Sequence, residues 1–130
     1  MPDDRTLDPV TRAGQWHGML IYKIFRAREW DVLDTEGQTT GSPDDLRDGF
    51  IHISTAAQLR GTLDKHFSDE KDLVLAVLDT DDLSDALRWE PSRGGALFPH
   101  LYRSLSRSEI IEAHQISLGP NGHELPEGIE

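Results

Sequence analysis

One stretch, residues 48–59, constrains this chain most, because in it a predicted buried strand is followed directly by a helix. Between Gly49 and the polar residues that follow, large apolar side chains alternate with the imidazole of His52, a pattern typical of a short buried strand. Thr55 and Gln58 have the spacing of a capping box, which predicts that a helix begins where the strand stops. Polar side chains at such a junction point past the strand end, beside the free N–H groups of the new helix. The stretch therefore offers three candidate ligand-binding residues, His52, Ser54 and Thr55.

A structural interpretation of the same residues stays open. A histidine in an apolar strand is often a hydrogen-bonded core residue, and Thr55 is sufficiently explained as the cap of the helix. The sequence alone does not choose between these two interpretations.

Length and composition predict one folded domain. At 130 residues the chain has the size of a typical single domain. The first 17 residues show no apolar period, and the chain turns polar and rich in Pro and Gly after Gly119. We therefore predict a flexible N-terminal extension at 1–17, a globular domain at 18–118 and a flexible C-terminal tail at 119–130.

Charge and composition exclude several classes of partner. The net charge is −11, and no cluster of Lys and Arg offers a face for a phosphate backbone, so we expect no nucleic acid partner. No apolar run approaches the ~20 residues that span a bilayer, and the start of the chain lacks the order of a signal peptide. The chain has no cysteine, which fits a reducing compartment. A cytoplasmic location is the expectation, and the oligomeric state is left open.

Patterns between residues 19 and 79 predict two further strands, two helices and a loop. Apolar runs at 19–25 and 72–79 predict strands that are apolar enough to be central. Apolar spacing predicts a helix that ends near Gly37 and a second helix from Ala56 to about Phe67. Residues 38–45 are predicted to be a loop, which either lies on the surface or lines a site.

The second half predicts mainly strands. Residues 87–90 alternate in strand fashion, and residues 98–103 predict a further strand that Pro99 restricts to an edge or to its first positions. On that strand His100 and Tyr102 are two residues apart and share a face. A strand at 112–118 completes the pattern. The order of elements predicts an α+β fold, a curved or split and mainly antiparallel β-sheet with a few helices packed on it.

The chemistry-bearing residues are spread over several strand ends. A metal site from His52, His100 and either Asp48 or Glu90 would need ligands scattered along the chain, so we predict no metal site. Imidazoles, hydroxyls, a phenol and a few cations suit hydrogen bonding to a ribose and its phosphates. A carboxylate such as Glu90 can stabilise an oxocarbenium-like centre in glycosyl transfer. Besides the three residues at the strand-to-helix junction, the candidates are Lys23, Arg88, Glu90, His100 and Tyr102.

Several short phrases in this order resemble the domain of unknown function 952 family. They cover about residues 19–118, nearly the whole predicted domain. The phrases are Ile21-Tyr22-Lys23-Ile24, then Trp30, then Gly49-Phe50-Ile51-His52-Ile53-Ser54-Thr55, then Leu87-Arg88-Trp89-Glu90 and Phe98-Pro99-His100-Leu101-Tyr102.

The resemblance implies a fold and a ligand class, although the family carries no assigned activity. The family is grouped by fold with ADP-ribosyltransferase-like proteins, which implies a split antiparallel core with a cleft for NAD. The run from Phe50 to Thr55 resembles the second element of that group, with His52 in the aromatic position. The first element departs from the group, because Tyr22-Lys23-Ile24 stands where His-Gly-Thr is expected.

Three functions follow as hypotheses. In the first, a cleft lined by His52, Ser54, Thr55, His100 and Tyr102 binds NAD or ADP-ribose. His52 and Glu90 would be catalytic in glycosyl or ADP-ribosyl transfer, and Lys23 or Arg88 would hold phosphate. In the second, the same cleft binds a metabolite or a protein partner without chemistry. In the third, the protein is structural and the polar residues are incidental.

Overall fold

The computed structural model describes residues 18–129, apart from the side chain of Arg93. The predicted N-terminal extension at 1–17 lies outside the described residues. Within them the chain forms strands and helices in the order β1 (Leu20–Arg26), α1 (Ala27–Glu36), β2 (Gln38–Thr39), α2 (Pro43–Asp48), β3 (Ile51–His52), α3 (Ala56–His66), β4 (Leu73–Asp79), α4 (Thr80–Leu83), β5 (Leu87–Pro91), β6 (Leu97–Leu101), β7 (Leu105–Ser106), β8 (Glu112–Gly119) and β9 (Gly122–Glu124).

The strands form three sheets, in which every pair among the described residues is antiparallel. A four-stranded sheet has the order β1-β4-β8-β9, a three-stranded sheet has the order β3-β6-β5, and β2 pairs with β7. The two larger sheets are joined by a bridge between Tyr22 and Ser54, whose backbone groups exchange two hydrogen bonds of 2.8 Å. The predicted α+β fold with a curled antiparallel sheet is confirmed.

The four-stranded sheet carries an apolar core on each face. Every residue of β4 is buried, as its unbroken apolar sequence predicts. On β1, Ile21 and Phe25 face the core that includes α1 and the three-stranded sheet, and Tyr22 and Ile24 face the core under α3. Although we predicted a central position for β1, it lies at the end of its sheet, and Ser54 covers part of its outer edge.

The two predicted helices are confirmed. Helix α1 ends at Gly37, whose φ of 83° is a left-handed conformation that glycine adopts without strain. Helix α3 begins after Thr55, and the Gln58 side chain accepts a hydrogen bond of 3.0 Å from the Thr55 N–H. Leu59 and Leu63 on its inner face are fully buried, and burial of each contributes about 2 kcal/mol.

The predicted loop at 38–45 is wrong, because it contains a strand and the start of a helix. Gln38–Thr39 pairs with β7, and α2 begins at Pro43. Ser42 caps this helix by accepting a hydrogen bond of 3.2 Å from the Asp45 N–H. Proline at the first helical position leaves no N–H unsatisfied there, so the residues that suggest a loop also start a helix well.

Pro99 does not lie at an edge, because β6 is the central strand of the three-stranded sheet. Its carbonyl accepts a hydrogen bond of 3.1 Å from the Ile53 N–H. The reciprocal bond cannot form, since proline has no N–H to donate. Strand β3 therefore ends at His52, and the chain continues through Ser54 into α3.

The chain continues in regular structure beyond residue 118, where we placed the end of the domain. Gly122–Glu124 forms β9 and pairs with β8, so that boundary falls inside a β-hairpin. His123 is buried and its Nε2 lies 2.8 Å from the Glu70 carbonyl oxygen. The His123 carbonyl accepts a hydrogen bond of 2.6 Å from Arg60. The sequence did not predict these contacts, because the Pro and Gly content of the segment is typical of a flexible tail.

The docking of β9 is testable by substitution of His123. We expect His123→Ala to lower the free energy of unfolding by about 1–3 kcal/mol, because it leaves the Glu70 carbonyl without a partner and opens a buried site. The measurement is urea denaturation followed by circular dichroism. His114→Ala, at a half-buried histidine on β8, is the matched control and should change stability by about 0.5 kcal/mol or less. Equal stabilities of the two variants would show that β9 is not docked.

Candidate functional site

Helix α2 and strand β3 are consecutive, and a buried carboxylate joins them. Gly49 ends α2 with a φ of 87°, which turns the chain directly into β3. The carboxylate of Asp45 therefore faces the strand that follows. Its Oδ1 accepts a hydrogen bond of 3.1 Å from the His52 N–H and lies 2.6 Å from the Nδ1 of the same residue. Because a carboxylate only accepts, His52 donates from Nδ1.

The second oxygen of Asp45 binds β1 and the start of α2. It lies 2.7 Å from the Lys23 Nζ and accepts a hydrogen bond of 2.9 Å from the Ser42 N–H. The side chains of Lys23 and Asp45 are 6% and 1% exposed, so this ion pair is buried. Gly41 passes so close that a Cβ at this position would overlap the Asp45 carboxylate. Its φ of 105° also favours glycine.

These contacts fix the charge of Asp45. Burial acts to raise the pKa of the carboxyl, but the hydrogen bond from His52 and the charge of Lys23 outweigh it. The pKa of Asp45 therefore lies well below its ordinary value. Asp45 is a permanent anion at neutral pH that positions one ammonium and one imidazole.

The other nitrogen of His52 meets a second carboxylate. His52 Nε2 lies 3.0 Å from the Oδ2 of Asp48, at the last turn of α2. Asp48 also accepts a hydrogen bond of 3.0 Å from Arg47, and this bond lowers the pKa of Asp48 below its ordinary value. The His52 side chain is 37% exposed, so His52 is not sealed in the core.

The register of the three-stranded sheet places the two histidines side by side. His52 on β3 is directly opposite His100 on β6, and the ring centroids are 5.5 Å apart. Phe50 lies against both rings, stacked on His100 at 4.0 Å and tilted to His52 at 4.6 Å. Tyr102 completes this aromatic cluster, with its ring centroid 5.2 Å from that of Phe50. His100 and Tyr102, which were predicted to share a face, thus both contact Phe50 in one cluster.

Glu90 forms hydrogen bonds with two members of the aromatic cluster, His100 and Tyr102. One of its oxygens accepts a hydrogen bond of 2.7 Å from the Tyr102 hydroxyl and lies 2.8 Å from the His100 Nδ1. The hydrogen bonds from Tyr102 and His100 lower the pKa of Glu90. The hydrogen bond between Tyr102 and Glu90 also raises the pKa of Tyr102. Arg88 lies 5.3 Å from the centre of the Tyr102 ring, in cation–π geometry.

Ser54 and Thr55 have different roles. The Ser54 hydroxyl lies 2.9 Å from the hydroxyl of Thr62 on α3, beside the bridge that joins the two sheets. Thr55 precedes α3 as its cap residue, in the role that the structural interpretation assigns to it.

A cavity of about 240 Å³ opens where β1, α2, β3 and α3 meet. Four of the predicted site residues line it, namely Lys23, His52, Ser54 and His100. The other four are not among its lining residues, namely Thr55, Arg88, Glu90 and Tyr102. Arg88, Glu90 and Tyr102 stand behind His100 and contact one another, so the fold brings seven of the eight predicted residues into one region.

Further residues of the cavity wall were not predicted. They include two arginines, Arg26 and Arg47, and the histidine His66 near the end of α3. Tyr22 also lines it, and burial raises the pKa of its phenol, which stays a neutral donor. The most important omission is Asp45. Its signal was the phrase Ser42-Pro43-Asp44-Asp45, which has a cap residue, a proline at the first position and an acid at the third.

Two classes of site find no support in the part of the chain that the structure describes. No group of three or more His, Asp or Glu side chains there has the arrangement that holds a metal ion. None of the helices in residues 18–129 has the length and apolar character required to span a bilayer.

The buried ion pair predicts an order of stabilities. Asp45→Ala leaves the Lys23 ammonium buried without its carboxylate, so we expect a loss of about 3–5 kcal/mol in the free energy of unfolding. Lys23→Met leaves Asp45 with its partners Ser42 and His52, and we expect a smaller loss of about 1–3 kcal/mol. Asp44→Ala, at the exposed neighbouring position, is the control in urea denaturation. An Asp45→Ala variant as stable as this control would contradict the assignment.

The lowered pKa of Asp45 predicts a specific acid dependence. The unfolded state binds a proton at this carboxyl near its ordinary pKa of about 3.9, before the folded state does. The stability contributed by the charge is therefore present above about pH 4 and is lost as the pH falls further. We expect the stability gap between the wild-type protein and Asp45→Asn to narrow by about 2 kcal/mol between pH 5 and pH 2. A gap that stays constant over this interval would show that Asp45 is not the group that titrates.

Comparison with known proteins identifies the family. Residues 24–113 match the family described as "Protein of unknown function (DUF952)". Among solved structures, the crystal structure of protein CC0527 from Caulobacter crescentus is 44% identical, with a TM-score of 0.77 over 81% of this chain and 92% of that chain. The solution NMR structure of the same protein has a TM-score of 0.72 at 44% identity, over 80% of this chain and 90% of that chain. No curated protein matches the chain. The chain therefore belongs to the DUF952 family.

Proposed function

We propose that this protein binds a small nucleotide-like ligand of the NAD or ADP-ribose type in the cavity beside His52 and His100. The observation that carries the proposal is the convergence of two imidazoles, one ammonium and one hydroxyl on a single cavity. Polar groups that converge on a partly apolar hollow are the usual composition of a small-molecule site.

The cavity wall matches the parts of a ribose phosphate. An imidazole such as that of His100 suits a hydrogen bond to a ribose hydroxyl, whereas both nitrogens of His52 already lie on carboxylates. The Ser54 hydroxyl, which lies on Thr62, can also bond a ribose hydroxyl, and the guanidinium groups of Arg26 and Arg47 suit a phosphate. Both arginines are already paired, Arg26 with Glu29 and Glu70, and Arg47 with Asp44 and Asp48. A phosphate has to compete with these carboxylates, so we expect a modest affinity, in the micromolar to millimolar range.

The size of the cavity limits what it encloses. Sites for drug-sized ligands commonly measure ~300–1,000 Å³, and this cavity of about 240 Å³ is smaller. It has room for a ribose with its phosphate, and the remainder of a dinucleotide would extend out of it past Arg47. The residue Arg47 is exposed, as a group at the mouth of a site should be.

The resemblance to the ADP-ribosyltransferase-like group supports the same ligand class. Such a fold assignment for the curled antiparallel sheets is part of the proposal, and an analogy of fold does not define a reaction. The position of His52 supports it, since the imidazole reaches the cavity from the run that resembles the second element of that group.

Binding without turnover is the second candidate, and the carboxylates favour it. The predicted catalytic pair was His52 and Glu90, but both hydrogen bonds to Glu90 come from His100 and Tyr102, and Glu90 is not among the lining residues. Asp45 is fully engaged by Lys23, Ser42 and His52. In a transfer reaction Glu90 would act through His100.

The acidic net charge of −11 supports a small ligand over a nucleic acid. We retain a cytoplasmic location as part of the proposal.

Isothermal titration with ADP-ribose and with NAD tests the proposal. We expect heat of binding at millimolar ligand for the wild-type protein, and at least a ten-fold loss of affinity in His52→Ala. His114→Ala, which removes a histidine outside the cavity, should bind like the wild-type protein. Absence of heat with both ligands would refute the proposed ligand class.

Mass spectrometry of the same mixtures separates the two candidates. Release of nicotinamide or free ribose derivatives by the wild-type protein, and not by His52→Ala, would establish transfer or hydrolysis. Binding with an unchanged ligand after prolonged incubation would establish a binding module.

A further inference from the structure

His100 has one ring nitrogen that the protein occupies and one that it leaves unused. The ring is 5% exposed, and its Nδ1 lies 2.8 Å from the Glu90 Oε1. Among the described residues, no hydrogen bond to Nε2 is found. Buried polar atoms nearly always have a hydrogen-bond partner from the protein, from water or from a ligand, so Nε2 is the atom of this ring that a ligand can bind.

The protein also fixes which nitrogen carries the proton. Glu90 is ionised at neutral pH, as a carboxyl with an ordinary pKa would be, and the hydrogen bonds from Tyr102 and His100 lower its pKa further. An ionised carboxylate only accepts, so His100 donates from Nδ1. In the neutral ring Nε2 is then left with a lone pair and no proton, and it is a hydrogen-bond acceptor.

The surroundings hold the ring in one orientation. Phe50 stacks on the face of His100 with an interplanar angle of 23°. The same Glu90 oxygen also accepts a hydrogen bond of 2.7 Å from the Tyr102 hydroxyl. His100 lines the cavity and Glu90 does not, which fits a ring that turns Nδ1 to Glu90 and its Nε2 edge to the cavity.

We propose that His100 Nε2 is a dedicated acceptor for a ligand hydroxyl, locked in this tautomer by Glu90, so that the cavity selects ligands which present a hydroxyl donor. This assignment rests on the proposed function in taking the ligand to be ribose-bearing. It adds that the sugar enters with a hydroxyl against His100, and that a group which only accepts, such as a phosphate oxygen, is rejected there.

The tautomer can be measured without any ligand. Long-range ¹H–¹⁵N NMR spectra of the uniformly ¹⁵N-labelled protein at pH 8 distinguish an imidazole protonated at Nδ1 from one protonated at Nε2. We expect His100 to carry its proton on Nδ1 only. A proton on Nε2, alone or together with Nδ1, would overturn the assignment whatever the protein binds.

Two variants test the role of Glu90. Glu90→Ala removes the acceptor, and we expect His100 to shift its proton to Nε2, the form that free imidazole side chains favour. Tyr102→Phe removes only the outer hydrogen bond and should keep the proton on Nδ1. A tautomer unchanged in Glu90→Ala would show that Glu90 does not position the ring. Well-dispersed amide spectra of both variants serve as the control for folding.

Ligand addition then tests the hydroxyl. At saturating ADP-ribose we expect the His100 Nε2 resonance to shift while the nitrogen stays unprotonated, and we expect inorganic phosphate alone to leave it unchanged. Binding of ADP-ribose with no shift at Nε2, or with a new proton on it, would contradict the hydroxyl assignment. If ADP-ribose does not bind, the proposed function fails, and the ligand-free spectra still decide whether Nε2 is the acceptor.

Discussion

The buried carboxylate of Asp45 holds together three segments that are far apart in the chain. Its two oxygens receive Lys23 from β1, the backbone of Ser42 at the start of α2, and both the backbone and the ring of His52 on β3. Removing an anion and a cation from water costs several kcal/mol, which is recovered only when each remaining lone pair finds a donor. That requirement explains why the turn at Gly41 approaches so closely and why α2 stops directly before β3. The contacts of Asp45 thus fix the part of the cavity wall that Lys23, Ser42 and His52 form.

The two larger sheets supply the rest of the site. The register of β3 and β6 sets His52 opposite His100, and alternation along the strands places Phe50 and Tyr102 on the same face. Because Pro99 cannot return a hydrogen bond to Ile53, β3 is short and the chain leaves it at once for the bridge to Tyr22. Each of these two histidines is thus held by carboxylates, His52 by Asp45 and Asp48 and His100 by Glu90. Asp45 and Asp48 line the cavity themselves, whereas Glu90 is not among its lining residues.

Much of this arrangement could be predicted from local patterns. Apolar runs identified β1 and β4, the capping residues identified the start of α3, and alternation placed His100 and Tyr102 together. Local patterns failed where tertiary contacts decide the outcome. Ser42 and Pro43 suggest a loop and also start a helix, and only the burial of Asp45 favours the helix. The segment after Gly119 is polar, yet β8 offers it a free edge and His123 finds a buried acceptor. Pro99 was excluded from a central strand, although a central strand tolerates it where its short neighbour ends.

The proposed ligand site is this cavity, and a two-dimensional ¹H–¹⁵N NMR titration with ADP-ribose tests the proposal. We expect chemical shift changes concentrated at the backbone amides of Lys23, His52, Ser54 and His100, with the β8–β9 hairpin unaffected. Changes confined to the hairpin or spread evenly over the surface, or no changes at millimolar ligand, would contradict it.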